Sequence, residues 1–426
     1  MDKKIHKRSF KLARRTNPAF TGRDGPRSLL QAYRKHSLPF TTDLYRSASI
    51  VAQNSSTKLE ATPEDDGTGL VTASPVEPND LEYIASISIG GQEILMNIDT
   101  GSADLWVFNT QLGKEMREGH TLYDPTLSKS FRFLPGEEWN ITYGDGSGAS
   151  GNVGTDIVNI GGVEVKMAVE MATVVSDAFV RDTNSNGLVG MGFSKLNTVR
   201  PTQQRTFFDT VMDDLADPVF TADLRQDEVG AYEFGKISQD RYQGELQWVP
   251  VNTERGHWEF ESSSFAITID GRKVEGTTAR TAIVDTGTTL MLVSEEMLRE
   301  YYSKVEGAVN DMSVGGIVFP CGSVLPDLYV DVGGSMARVE GRFINFAQVD
   351  EERCFGGLQG SGASFMVFGD IFFKSQFVAF NGGNNSVGVA PHVEPINAQL
   401  EARGLVGKVK RMFGWCHGVG CLSKTV

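Results

Sequence analysis

Two aspartates each open the same short run of residues, Asp-Thr-Gly followed by a hydroxyl side chain. The copies are Asp99-Thr100-Gly101-Ser102 and Asp285-Thr286-Gly287-Thr288. Glycine allows a tight turn that brings backbone amides close to the preceding carboxylate. If the two turns face each other, Thr100 and Thr286 can bond across to the opposite loop. Ser102 and Thr288 can then donate to the outer oxygens of the neighbouring aspartates. The inner oxygens lie side by side and share one proton, because two like charges at contact cannot both ionise. One carboxylate would act as general base on a water, while the other, protonated, polarises a scissile carbonyl. A lone Asp in a glycine turn is usually only a turn former. The second copy makes chemistry the stronger reading. An Asp loop of the phosphatase kind would need a parallel α/β pattern and a metal site, and the sequence suggests neither.

The elements around these loops alternate. From about Leu81 onward, stretches such as YIASISI, EILMNI and TDIVNIGGVEV repeat with a period of two, broken by Gly, Asn and Asp. That pattern predicts successive antiparallel strands and hairpins. Short helices are expected at 205–216 and 294–304. An internal echo gives the architecture. NIDTGSADLWVF (97–108) is matched by AIVDTGTTLMLV (282–293), and GLVGMGF (187–193) by FMVFGDIFF (365–373). Two related halves imply an all-β, mainly antiparallel protein of two lobes, with one Asp-Thr-Gly loop per lobe and a cleft between them.

Bulk properties fit this reading. A chain of 426 residues, 40% hydrophobic and 22% charged, suits two lobes with extensions, and its 47 glycines suit many turns. The net charge of −14 argues against nucleic acid, which needs a basic footprint, and suits work in acid. No Cys/His spacing suggests a metal site, no cofactor is implied, and no apolar run is long enough to span a membrane. A monomer is expected.

The stretches EYIASISIGGQ, MNIDTGSADLWVF, ITYGDGSGASGNVGTD, NGLVGMGF, RTFFDTV, AIVDTGTTL, VFPCGSVLPDL, CFGGLQ and FGDIFFKSQFVAFN together resemble the pepsin family. Within it they are most similar to the fungal penicillopepsin and aspergillopepsin branch. The resemblance covers about residues 80–392. It implies a two-lobed acid protease fold and an aspartic endopeptidase with Asp99 and Asp285 as its dyad, acting on protein and peptide substrates. The alternative is an inactive relative that binds peptides or inhibits another enzyme; such proteins usually lose an aspartate or the flap tyrosine. The resemblance further implies that Tyr143 tips a flap, that Gly144 presents backbone to the substrate and that the Trp106 indole bonds the Tyr143 hydroxyl. Read alone, Tyr143 is an ordinary hairpin-tip tyrosine. Cys321 and Cys354 match the disulfide of this branch, which implies an oxidising compartment. Phe179 and Leu188 match apolar pocket walls, although as lone residues they read as core. The likeness to penicillopepsin also implies that Asp145, supported by Ser147, receives a lysine before the scissile bond, including that of trypsinogen. The plainer reading is that Asp145 shapes the turn.

The extensions carry expectations of their own. Residues 1–35 are rich in Lys and Arg against only Asp2 and Asp24. Charge alone leaves open whether this segment docks on the acidic body or forms a free tail. A short helix is predicted over 28–39, stopped by Pro39. The resemblance makes 1–67 a prosegment, with Lys35 paired to the catalytic carboxylates until acid releases it and cleavage around residues 60–70. The alternative is a solvated lysine. The amino-terminal lobe is expected at 68–246, the carboxy-terminal lobe at 247–392 and a tail at 393–426, the last with Cys416 and Cys421. In the tail, LEARGLVGKVKRMFGW has the spacing of a weak membrane-surface helix, but an accessory tail is preferred. Asn140 and Asn384 begin glycosylation sequons, the first where strand pairing would hide it. Secretion or a vacuolar destination is expected, although the opening MDKKIHKRSFKLARR lacks the apolar core of a signal peptide.

Overall fold

The computed structural model describes residues 10–13, 15–16, 24–41, 43–44, 47–48, 83–142, 148–181, 183, 185–226, 230–268, 273–276 and 279–393. The expectations for Tyr143, Gly144, Asp145 and Ser147, for the 60–70 stretch and for Cys416 and Cys421 lie outside these residues.

The alternating segments form strands in two large and two small sheets. The echo seen in the sequence is an echo in topology. In the first half, strand Gln92–Asp99 runs parallel to Gly187–Gly190, which in turn lies antiparallel to Leu105–Val107. In the second, Thr281–Val284 runs parallel to Phe365–Phe368, which lies antiparallel to Met291–Val293. Each Asp-Thr-Gly turn thus leaves one strand and enters another, with the echoed glycine strand between them. A Cβ on Gly190 would run into the Ala103 backbone, and one on Gly369 into the Thr288 and Leu290 carbonyls. These glycines permit the close crossing.

The two halves share one sheet. Strand Val219–Asp223 pairs with Gln376–Asn381, and the eleven-stranded sheet runs from there through Ser386–Pro391 and Gln247–Asn252 to the second loop. Behind it, Phe220, Trp258 and Phe380 pack as a buried aromatic cluster. That core joins the halves and fixes the spacing of the loops.

The amino-terminal segment is docked. Phe10–Ala13 adds an edge strand beside Ala231–Phe234, and Arg15–Thr16 one beside Tyr83–Ile89. The expected helix spans Gly25–Lys35, three residues earlier at its start than predicted. The overlooked signal is Asp24-Gly25-Pro26: Asp24 accepts a bond from the Arg27 amide at 3.0 Å, and Pro26 suits the first turn. The helix also ends before Pro39, because Ser37 takes a positive φ of 54° and turns the chain. Short helices at Phe207–Val211 and Glu295–Tyr302 match the predicted ones, capped by Thr206 and Ser294. Cys321 and Cys354 form a disulfide of 2.01 Å. The Asn140 side chain is exposed even though its backbone pairs with Ser150, so strand pairing does not hide it.

Candidate active site

Asp99 ends its strand and Asp285 directly follows Thr281–Val284; both are fully buried, and each carboxylate lies against the glycine of the opposite loop. The loops are tied by a symmetrical set of bonds. The Thr100 amide donates to Thr286 Oγ1 at 3.1 Å and the Thr286 amide to Thr100 Oγ1 at 3.0 Å. Each hydroxyl continues across, Thr100 to the Val284 carbonyl at 3.0 Å and Thr286 to that of Ile98 at 2.8 Å. The amide and hydroxyl of both threonines are used across the interface between the loops, so neither loop can shift alone.

The carboxylates are oriented in the same way on both sides. Gly101 and Gly287 amides donate to the inner oxygens, Asp99 Oδ1 at 2.8 Å and Asp285 Oδ1 at 3.0 Å. Ser102 donates to Asp99 Oδ2 at 2.6 Å, and Thr288 donates to Asp285 Oδ2. A methyl group on Gly101 would strike the Asp285 carboxylate, and one on Gly287 the Asp99 carboxylate. Glycine is required at both positions.

A cation occupies the point between the inner oxygens. Lys35 Nζ lies 2.6 Å from Asp99 Oδ1 and 2.7 Å from Asp285 Oδ1. His36 Nε2 stands 2.9 Å from Asp285 Oδ2 and 3.1 Å from Thr288 Oγ1. The Tyr33 hydroxyl donates to the Gly360 carbonyl at 2.5 Å. Burial works against the charge on Lys35, but the two carboxylates outweigh it and raise its pKa. Burial would also raise both aspartates. At Asp285 the Lys35 ammonium and the His36 ring overcome it and hold the carboxyl well below the usual range. At Asp99 burial prevails over Lys35, and the Asp285 charge adds to it, so that carboxyl sits above the range. Two equivalent residues are thereby driven apart.

Residues 82–392 match the family model described as eukaryotic aspartyl protease. The chain belongs to that family. It is 42% identical over 409 residues to aspartic protease PEP3 of Coccidioides posadasii, covering 90% of each chain. To penicillopepsin-1 of Penicillium janthinellum it is 44% identical over 326 residues, covering 76% of this chain and 98% of that one. Aspergillopepsin-1 of Aspergillus oryzae is 43% identical over 328 residues, with 76% and 80% covered. The two-lobed all-β fold is that of a pepsin-like protease, and the chain is an aspartic endopeptidase acting on peptide bonds.

Around the loops of this protease, Trp106 is buried against Trp139 and meets the half-buried Phe179 edge-on at 5.0 Å. Its indole N–H has no partner among the described residues. Leu188 is half-buried beside Asn97, two residues before the first aspartate. Sequence reasoning missed Tyr33 and His36; direct adjacency to Lys35 was the available signal for the latter.

It also missed a second acidic pair. Asp104 and Glu170 are both buried, and Asn197 Nδ2 donates to each, at 2.9 and 2.8 Å. Burial pushes Asp104 up to about 6, against bonds from the Thr198 amide and Glu170. Burial, and then the Asp104 charge, drives Glu170 well above its range. Glu170 therefore keeps its proton and donates it to Asp104. Raised folded values mean that this stabilisation is complete below the unfolded carboxylate range and is lost as pH climbs through the folded values. Thermal stability should fall as pH rises from about 4 toward 7. Glu170→Gln, whose amide donates in place of the acid proton, should recover about 1–3 kcal/mol at neutral pH. Melting curves of both proteins across that range test this; an unchanged slope would clear the pair of responsibility.

Proposed function

We propose that the chain is the precursor of an acid-acting endopeptidase whose catalytic dyad is Asp99 and Asp285, with residues 1–67 as a removable segment locked by Lys35. One observation carries this reading: a single ammonium from the amino-terminal segment touches both inner carboxylate oxygens. When that cation leaves, the same point can take a water. One carboxylate removes a proton from the water, whose oxygen bonds to the scissile carbonyl carbon. The other, protonated, gives its proton to the carbonyl oxygen, forming a tetrahedral diol. Proton transfer to the amide nitrogen then lets the C–N bond break and yields acid and amine. Ser102 and Thr288 hold the outer oxygens, which keeps the inner pair aimed at the water. Thr100 and Thr286 keep the loops in register.

Lobes 68–246 and 247–392 would each supply one aspartate, and the enzyme would act as a monomer. The Cys321–Cys354 disulfide supports passage through the secretory pathway, to the exterior or a vacuole. The half-buried Phe179 and Leu188 support large apolar residues beside the scissile bond. The resemblance to penicillopepsin supports lysine there too, received by Asp145 with Ser147 beneath a flap tipped by Tyr143 and Gly144.

The test uses acid-activated enzyme on matched peptides carrying Phe or Lys before the scissile bond. Both should be cleaved, and a pepstatin-like inhibitor should block both. Asp145→Thr should lose about 10- to 100-fold on the lysine peptide only. An equal fall on both peptides would assign Asp145 to the shape of the flap, and cleavage unaffected by the inhibitor would overturn the dyad.

A further inference from the structure

Beside the Lys35 contact lies a histidine that the lock described above does not use. His257 sits in the loop that leads into strand Glu259–Glu261, its ring 6.2 Å from that of His36 and tilted by 59°. Its Nδ1 atom is shielded from solvent and has no hydrogen-bond partner among the described residues. The groups around it are strongly charged. Lys35 and His36 face it from the amino-terminal segment, and Asp285 from the second loop, with Asp99 beyond, across Lys35 Nζ. Arg255 lies on its own loop, paired to Glu259 and stacked 4.4 Å over the Phe365 ring. Phe365 also meets His36 edge-on at 6.3 Å. A proton on His257 would therefore add a cation to a site already holding Lys35, next to the His36 ring that is itself bound to Asp285.

We propose that His257 is an acid sensor of the lock, whose protonation drives the amino-terminal segment off the aspartate pair. The proposal rests on reading residues 1–67 as removable. With the segment in place, burial comes first and the His36 ring second in lowering His257 to about 4; Lys35 and Arg255 act the same way and Asp285 opposes them. Departure of the segment removes Lys35 and His36 and opens the site to water, while Asp285 stays. The open form thus binds the proton more tightly than the closed one. A group depressed in the closed form favours closure above its open-form pKa, and that contribution disappears as pH falls through the closed-form value. For an open-form value near the ordinary 6.5, the window runs from there down to about 4. Protonation then favours opening by up to about 100-fold at the lower end. Asp285, held well below the usual carboxylate range, cannot begin the release in this window. Asp99 titrates in the parent and in His257 variants alike, so a comparison of the two isolates the histidine.

The experiment follows opening directly, without relying on catalysis. Full-length precursor is jumped from neutral pH to a series of lower values, and amide hydrogen exchange in helix 25–35 is read in the first seconds, before any cleavage. Parent protein should lose protection with a midpoint inside the window. His257→Gln and His257→Phe should both move that midpoint down by about one pH unit, since neither can take the proton. Both variants opening at the parent's midpoint would overturn the sensor while leaving the lock intact. A shift in His257→Phe alone would assign the effect to packing and also overturn it. Protection that persists in the parent at every pH would instead refute the removable segment itself.

Discussion

Replacing either Asp99 or Asp285 with asparagine should cut peptide hydrolysis by about 10³- to 10⁴-fold or more, with the fold retained. The amide has nearly the carboxylate's shape and can still accept from the Gly101 or Gly287 amide. What it cannot do is take a proton from water or share one with its partner. The loops should keep their places, because the four bonds through Thr100 and Thr286 involve neither carboxylate. Loss of activity with an unchanged melting temperature, measured on variant enzyme freed of its segment by added parent protease, would therefore locate the defect in chemistry. The variants should differ as precursors. Asp99→Asn leaves Lys35 and His36 their contacts with Asp285, whereas Asp285→Asn disturbs both. Each variant precursor should also remain uncut in acid, since it cannot process itself. Turnover within tenfold of the parent in either variant would remove that aspartate from the mechanism.

The parts of this site that were legible in the sequence are those whose chemistry is local. An aspartate, a threonine, a glycine and a hydroxyl in a row are the whole of one loop, and the second copy implied a partner across a cleft. The glycine strands GLVGMGF and FMVFGDIFF were visible as an echo because each must pass close behind its loop. Lys35 could be singled out only through the family resemblance, since nothing in its neighbours distinguishes it from a surface lysine. Contacts between distant residues left no trace. His36 with His257, and Glu170 with Asp104 and Asn197, meet only because the folded chain brings them together, and no spacing announces it. Glu170 shows why: in strand Val163–Val175 it continues the alternating series begun by the exposed Glu164 and Lys166, at a position paired with Trp106, where sequence alone predicts an outward charge. The amino-terminal edge strands were missed for another reason. Phe10–Ala13 lies among Lys and Arg, and its pairing with Ala231–Phe234 depends on an open sheet edge that belongs to the folded body.

Lys35→Ala should leave the precursor able to open and shorten itself near neutral pH, where the parent stays shut. In the parent the two buried carboxylates face one ammonium at 2.6 and 2.7 Å. Removing one member of a buried ion pair leaves uncompensated charge, which costs about 3–5 kcal/mol. That cost falls on the closed form alone, because in the open form water can reach both aspartates. The opening equilibrium should rise by about 10²- to 10³-fold. The sign of the pH dependence separates the partners. Lys35 has a raised pKa in the closed form, so its share of closure is complete at every pH below the ordinary 10.5 and cannot by itself give acid release. Asp285 has a lowered one, so its share is present above the ordinary 3.8 and is lost as pH falls below it. Without the lysine, Asp285 keeps the His36 ring but not the ammonium against burial, so its share of the acid-dependent closure shrinks and the processing midpoint should move toward neutral pH. Lys35→Met provides the control for packing: it keeps the apolar stem along the cleft and removes only the charge. The Tyr33 bond to the Gly360 carbonyl and the helix contacts remain in both variants, so the segment should loosen without unfolding. The measurement is the pH midpoint of precursor shortening for parent, alanine and methionine forms. If Lys35→Met opens like Lys35→Ala, charge holds the cleft shut. If both variants keep the parent's midpoint, the ammonium between the aspartates is a passenger and the segment is held by its helix and edge strands alone.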